Sequence, residues 1–144
     1  MKLDDIINSW KTDCKIDKTD LANESLKTPN LHAKYYEWYT KENLLLAQSE
    51  HEYHKLYKLK TQYYSGKLSQ DELDELGWAQ HDLLVIKQDL DKYIDADDDV
   101  IKMLLKLALQ KEKVDALKEI IKCLHSRPFA IKNAIEWMRF EGGY

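Results

Sequence analysis

The chain has 144 residues, a length that supports one domain with a modest core. Charged residues are 33% of it, Gly and Pro number only 4 and 2, and 22 Lys+Arg stand against 26 Asp+Glu for a net charge of −4. This composition, with strong helical runs, predicts an all-α protein. It also excludes a spanning helix, because no apolar run approaches the roughly 20 residues a bilayer requires.

Leu3, Ile6, Ile7 and Trp10 recur at helical spacing and predict a short first helix whose start lacks the apolar core of a signal peptide. Thr19 or Asp20 is placed to cap a second short helix ending near Lys27. Thr28-Pro29 reads as a new start, followed by a long helix to about Tyr64 and a glycine cap at Gly66. Ser69 and Glu72 form a capping box for a short acidic helix ending at Gly77. A further helix is predicted over Ala79 to Ile94. The acids Asp95, Asp97, Asp98 and Asp99 then precede an amphipathic helix over Val100 to Leu124, and Ser126-Pro128 restarts the chain into a last helix from Phe129 to Phe140. The whole reads as a single all-helical domain over 1–144: N-terminal helices to 70, an acidic region over 71–99 and C-terminal helices from 100 onward.

In the Val100–Leu124 helix, Val100, Met103, Leu107, Gln110, Val114, Leu117, Ile121 and Leu124 make a near-heptad seam. Ile101, Leu104, Leu105, Ala108 and Leu109 leave its first half apolar on almost all sides, so it must be covered on all sides. A second subunit and an intramolecular bundle both satisfy that demand.

Charge is segregated along the chain. Residues 1–52 carry a net −3, 53–70 a net +4, 71–99 a net −9 and 100–144 a net +4. The stretch Tyr53–Gln70 holds four lysines, four tyrosines, one histidine and no acid. A basic, aromatic island in an acidic chain suits single-stranded nucleic acid, whose phosphates attract lysine and whose bases stack on rings. On a helix, Lys55, Lys58 and Gln62 share one face, Tyr53, Tyr57, Lys60 and Tyr64 another, and Leu56, Leu59 and Tyr63 a third. Tyrosines at that spacing are more often core or interface packing than base platforms. The acidic block suits a basic protein partner, or simply a solvated surface.

Catalytic chemistry finds no footing. Glu50-His51-Glu52-Tyr53-His54 falls one residue short of the zinc helix, and Asp95, Asp97 and Asp99 begin a calcium loop that fails at Val100 and Lys106. Cys14 and Cys123 have no metal spacing and read as reduced thiols. No phosphate loop or nucleophile elbow is present, so neither an enzyme nor a cofactor is expected.

Two strings carry a resemblance. Leu59-Lys60-Thr61-Gln62-Tyr63-Tyr64-Ser65-Gly66, with Lys58 just ahead, and Ser126-Arg127-Pro128-Phe129-Ala130-Ile131-Lys132 resemble the UvsY family, the recombination mediator proteins of large tailed phages. The likeness extends through Ala96 to Val100 and Met138 to Glu141. It implies a non-enzymatic protein of the infected bacterium's cytoplasm that binds single-stranded DNA. It further implies a ring-like homo-oligomer, a hexamer or heptamer, that helps a RecA-like recombinase displace the single-stranded-DNA-binding protein and nucleate its filament. The family's basic motif falls on Lys58 and Lys60, the second of which can be arginine in relatives. Lys55 and Lys67 would assist, and Tyr63 and Tyr64 would stack on bases or buttress the fold. Oligomerisation falls on the C-terminal helices, with Leu104, Leu107, Val114, Leu117, Ile121, Phe129 and Ile131 as candidates. The alternative is a helical oligomeric scaffold that binds no nucleic acid.

Overall fold

The computed structural model describes residues 1–81, 83 and 85–143, and every regular element among them is helical. The helices are α1 (Leu3–Asp13), α2 (Leu21–Tyr64), α3 (Gln70–Leu76), α4 (Leu90–Asp95) and α5 (Asp98–Glu141). They group into two compact units. Unit 1 comprises Met1–Leu45 and Gln110–Tyr144, and unit 2 comprises Leu46–Leu109. This grouping differs from a division at residues 70 and 99, because α2 and α5 each contribute to both units.

In unit 1, Ile6, Tyr35, Leu117, Ile120 and Leu124 form the buried core, with Trp10, Leu31, Trp38 and Ile121 packed around it. Trp10 meets Tyr35 edge-on at 5.5 Å. The phenol of Tyr35 donates to Asp13 Oδ2 at 2.7 Å, so the buried ring carries no orphaned hydroxyl. Deeper along the same helices, Gln110 Nε2 donates to the Glu42 carbonyl at 2.8 Å and to its carboxylate at 2.7 Å.

Two predicted breaks are absent. The short helix expected to end near Lys27 and the one expected to start at Pro29 are a single α2, and α5 runs unbroken through Pro128. A proline within a helix forfeits one backbone bond and crowds the carbonyl four residues back, a cost of about 3 kcal/mol. Arg127, beside Pro128, supplies tertiary partners to the turn before Pro29. Its Nη1 donates to the Glu24 carbonyl and to Thr28 Oγ1, and its Nη2 to Glu24 Oε2 at 2.6 Å. This tie joins α2 to a side chain about a hundred residues away, which local propensity cannot reveal.

In unit 2, Leu73, Ile94 and Val100 are buried. As predicted, α2 ends at Tyr64 and Gly66 follows, where a φ of +72° suits glycine. Lys67 N–H returns to the Gln62 carbonyl at 2.9 Å. Ser69 opens α3 with the expected capping box: its hydroxyl accepts Glu72 N–H at 3.2 Å, and the Glu72 carboxylate accepts Ser69 N–H at 3.4 Å. Gly77 closes α3 in the left-handed conformation.

The helix predicted over Ala79 to Ile94 shrinks to its last turns. Asp82 and Leu84 lie outside the described residues, and among the others only the stretch from Leu90 is helical. The Ala79 carbonyl, which a helix would offer to Leu83, accepts the Tyr63 hydroxyl instead. Aromatic packing on the end of α2 therefore outcompetes local helix formation there.

Candidate nucleic-acid interface

The basic island occupies the C-terminal half of α2 and the turn after it, all within unit 2. Lys55 and Lys58 lie on one exposed face, three residues apart. Among the described residues neither has an acidic group within 4.0 Å, and the same holds for exposed Lys67. Thr61 and Ser65 continue from Lys58 along the helix. They share a cleft of about 390 Å³ with Lys67, Val85, Lys87 and Leu90. Lys87 is a cation that sequence reasoning missed, because it sits in a block dominated by acids and joins Lys67 only in lining this cleft.

Lys60 is placed differently. It is 4% exposed, and its Nζ lies 3.1 Å from Asp97 Oδ2 and 2.9 Å from Asp99 Oδ2. The same ammonium sits 3.8 Å from the centre of the Trp78 ring and 5.5 Å from that of Tyr63. Asp97 also accepts the Tyr64 hydroxyl at 2.7 Å, while its other oxygen accepts the N–H groups of Asp99 at 2.9 Å and Val100 at 3.2 Å. It is thus the N-cap of α5 and the counter-ion of Lys60 at once. Burial alone would raise its pKa, but the hydrogen bonds from Tyr64, Lys60 and Val100 and the Lys60 charge hold it below the ordinary carboxylate value.

The tyrosines face this cluster. Tyr63 meets Trp78 edge-on at 5.2 Å, and Tyr64 meets His81 edge-on at 5.1 Å and Tyr93 at 5.9 Å. Burial and the hydrogen bond to Asp97 push the Tyr64 phenol well above its usual range. Tyr57 donates to Asp91 at 2.9 Å, and that bond, with burial, raises its phenol to about 12. Of the six DNA candidates, then, Lys55, Lys58 and Lys67 point outward, while Lys60, Tyr63 and Tyr64 engage their own chain. The sequence signal for the difference was the face division: Lys60 shares its helix face with Tyr57 and Tyr64, not with Lys58.

The oligomerisation candidates also divide. Val114, Leu117 and Ile131 are buried within unit 1. Leu107 and Ile121 are half-buried. Leu104 and Phe129 are exposed. In unit 2, Ile101, Leu105 and Leu109 join Leu104 as an exposed apolar face of α5, with Leu105 67% exposed. The near-heptad seam thus serves intramolecular packing, and the uncovered surface is the other apolar side. Among the described residues no helix is long and apolar enough to cross a membrane, and no three His, Cys, Asp or Glu side chains gather to hold a metal ion.

Residues 9–144 match the family described as "Recombination, repair and ssDNA binding protein UvsY". Over 143 residues the chain is 26% identical to "Recombination protein uvsY" of Enterobacteria phage T4, covering 99% of each. The fold matches the crystal structure of the bacteriophage T4 recombination mediator protein UvsY in lattice type II with a TM-score of 0.85, at 25% identity over 99% of this chain and 98% of that one. In lattice type I the TM-score is 0.82, at 25% identity over 95% and 98%.

Proposed function

The chain belongs to the UvsY family, and from that premise we propose that it is a recombination mediator that binds single-stranded DNA through the exposed lysine face of unit 2. The observation that carries the site is the face itself: Lys55 and Lys58 stand outward without acidic partners among the described residues, and Lys67 and Lys87 flank the cleft that continues it. Lysines so placed neutralise phosphates without reading bases, as a mediator acting on any sequence requires. The protein works by binding, not by catalysis.

Further roles follow from the surfaces. The apolar face formed by Ile101, Leu104, Leu105 and Leu109, together with Phe129, is covered by neighbouring copies in a ring, a hexamer or heptamer. The acidic 71–99 region docks a basic surface on a protein partner, the RecA-like recombinase or the single-stranded-DNA-binding protein. The site of action is the cytoplasm of the infected bacterium.

The test is fluorescence anisotropy with labelled oligo-dT across a salt series. The unaltered protein binds at low salt, and each phosphate contact contributes about 0.7 to the slope of log affinity against log salt. Lys55→Ala with Lys58→Ala reduces that slope by about 1.4. Absence of binding at low salt leaves the helical scaffold as the better reading, and an unchanged slope moves the phosphates to another surface.

A further inference from the structure

We infer that Lys60 does not touch the DNA and is instead a positioning residue, which locks the end of α2 to the start of α5 and so holds Lys58 and Lys67 outward. The inference rests on the DNA reading of the exposed lysine face.

Geometry separates the two lysines of the basic motif. Residues two apart on a helix lie about 200° apart around its axis, so Lys58 and Lys60 project from opposite sides of α2. Lys58 takes the solvent side and Lys60 the inner one. An ammonium has three donors and no acceptor. Two of those directions are taken by Asp97 and Asp99 at 3.1 and 2.9 Å, and the Trp78 ring lies against the same nitrogen at 3.8 Å. A phosphate reaching Lys60 would have to displace Asp97, leaving a buried carboxylate without its counter-ion.

The same contacts give the position an indirect part in binding. Lys60 gathers three pieces of unit 2: the last turns of α2 that carry Lys58, Trp78 just past α3, and the capped start of α5. Released from that tie, α2 and the turn that carries Lys67 lose their common anchor, and the lysines that meet phosphate lose their relative placement. Arginine at this position would keep both carboxylates in reach through its fork.

Lysine acetylation by an N-hydroxysuccinimide acetate reagent, read by mass spectrometry with and without oligo-dT, tests this on the unaltered protein. Lys55, Lys58 and Lys67 label in the free protein and are protected by DNA, while Lys60 stays unlabelled in both states. Labelling of Lys60 that DNA suppresses as strongly as at Lys58 overturns the positioning role alone. Protection of no lysine on this face sinks the interface and the positioning role together.

Variants supply the second arm. At a temperature where circular dichroism shows it folded, Lys60→Met binds oligo-dT several-fold more weakly with the salt slope unchanged, and Lys60→Arg restores the affinity. A slope reduced by about 0.7, as for Lys58→Ala, would make Lys60 a phosphate contact. Unchanged affinity in folded Lys60→Met would make it a stability residue only, which also ends the proposal.

Discussion

Replacing Asp97 by Asn removes one charge from the buried cluster while preserving its shape. The Asn side-chain oxygen still accepts the N–H groups of Asp99 and Val100, so the cap of α5 survives. What disappears is the counter-ion 3.1 Å from Lys60 Nζ and the charged acceptor of Tyr64. Removing one partner of a buried pair costs about 3–5 kcal/mol. Asp99 remains 2.9 Å from the same nitrogen, though its side chain is 56% exposed, so the lower end, about 3 kcal/mol, applies. For a chain of this size that lowers Tm by roughly 6–12 °C. The acid limb is equally specific. Asp97 titrates below its unfolded value, so its stabilisation is complete above the unfolded pKa of about 3.9 and is lost as pH falls through the folded value. Melting both proteins by circular dichroism at one fixed concentration should show a constant gap from neutral pH down to about pH 5, closing below about pH 4. Equal Tm values at neutral pH, or a gap that persists in strong acid, would refute the assignment of Asp97 as the counter-ion of Lys60.

Two further substitutions probe separate parts of the structure. Gly66→Ala places a side chain at φ +72° with nothing within 4 Å of its Cβ, so only backbone strain opposes it. The net loss is about 1 kcal/mol, roughly 2–4 °C in Tm, and smaller for Gly66→Asn; an unchanged melt would show that the turn relaxes freely. Leu105→Glu alters a side chain that is 67% exposed within its own chain. It should dissociate the proposed oligomer in sedimentation while leaving helix content intact, and an undisturbed assembly would move the proposed subunit contact off this face.

What the sequence revealed divides along physical lines. Features set by a few adjacent residues were legible: the Ser69–Glu72 box, the glycine ends at Gly66 and Gly77, and the acids before α5, where Asp97 became the cap. Features set by distant partners were not. Pro29 and Pro128 each satisfy the rule for a helix start, yet both lie inside helices, and the tie from Arg127 to Glu24 and Thr28 beside them is a long-range contact. The segment after Gly77 has helical composition, yet its backbone answers to the rings of Tyr63 and Tyr64. The near-heptad seam was a correct reading of apolar periodicity, but periodicity does not say which partner fills it. Val114, Leu117 and Leu124 face their own chain, and the less regular side carrying Leu104 and Leu105 is the one left open.

The candidate site illustrates the same limit in charge. Tyr53–Gln70 is uniformly basic when read as a string, but a helix wraps that string around an axis, and half of it turns inward. Lys60, the lysine with the most aromatic and acidic company, is the one least able to meet a phosphate. Three outward cations in this string alone then make a weak site. At about 0.7 per contact, three contacts give a slope near 2, so a fourfold rise in salt weakens a single copy roughly twenty-fold. Repetition around an assembly multiplies the contacts on one strand without strengthening any of them. In the proposed ring, that combination would let the protein grip DNA collectively and release it locally, since each copy gives up only its own few phosphates.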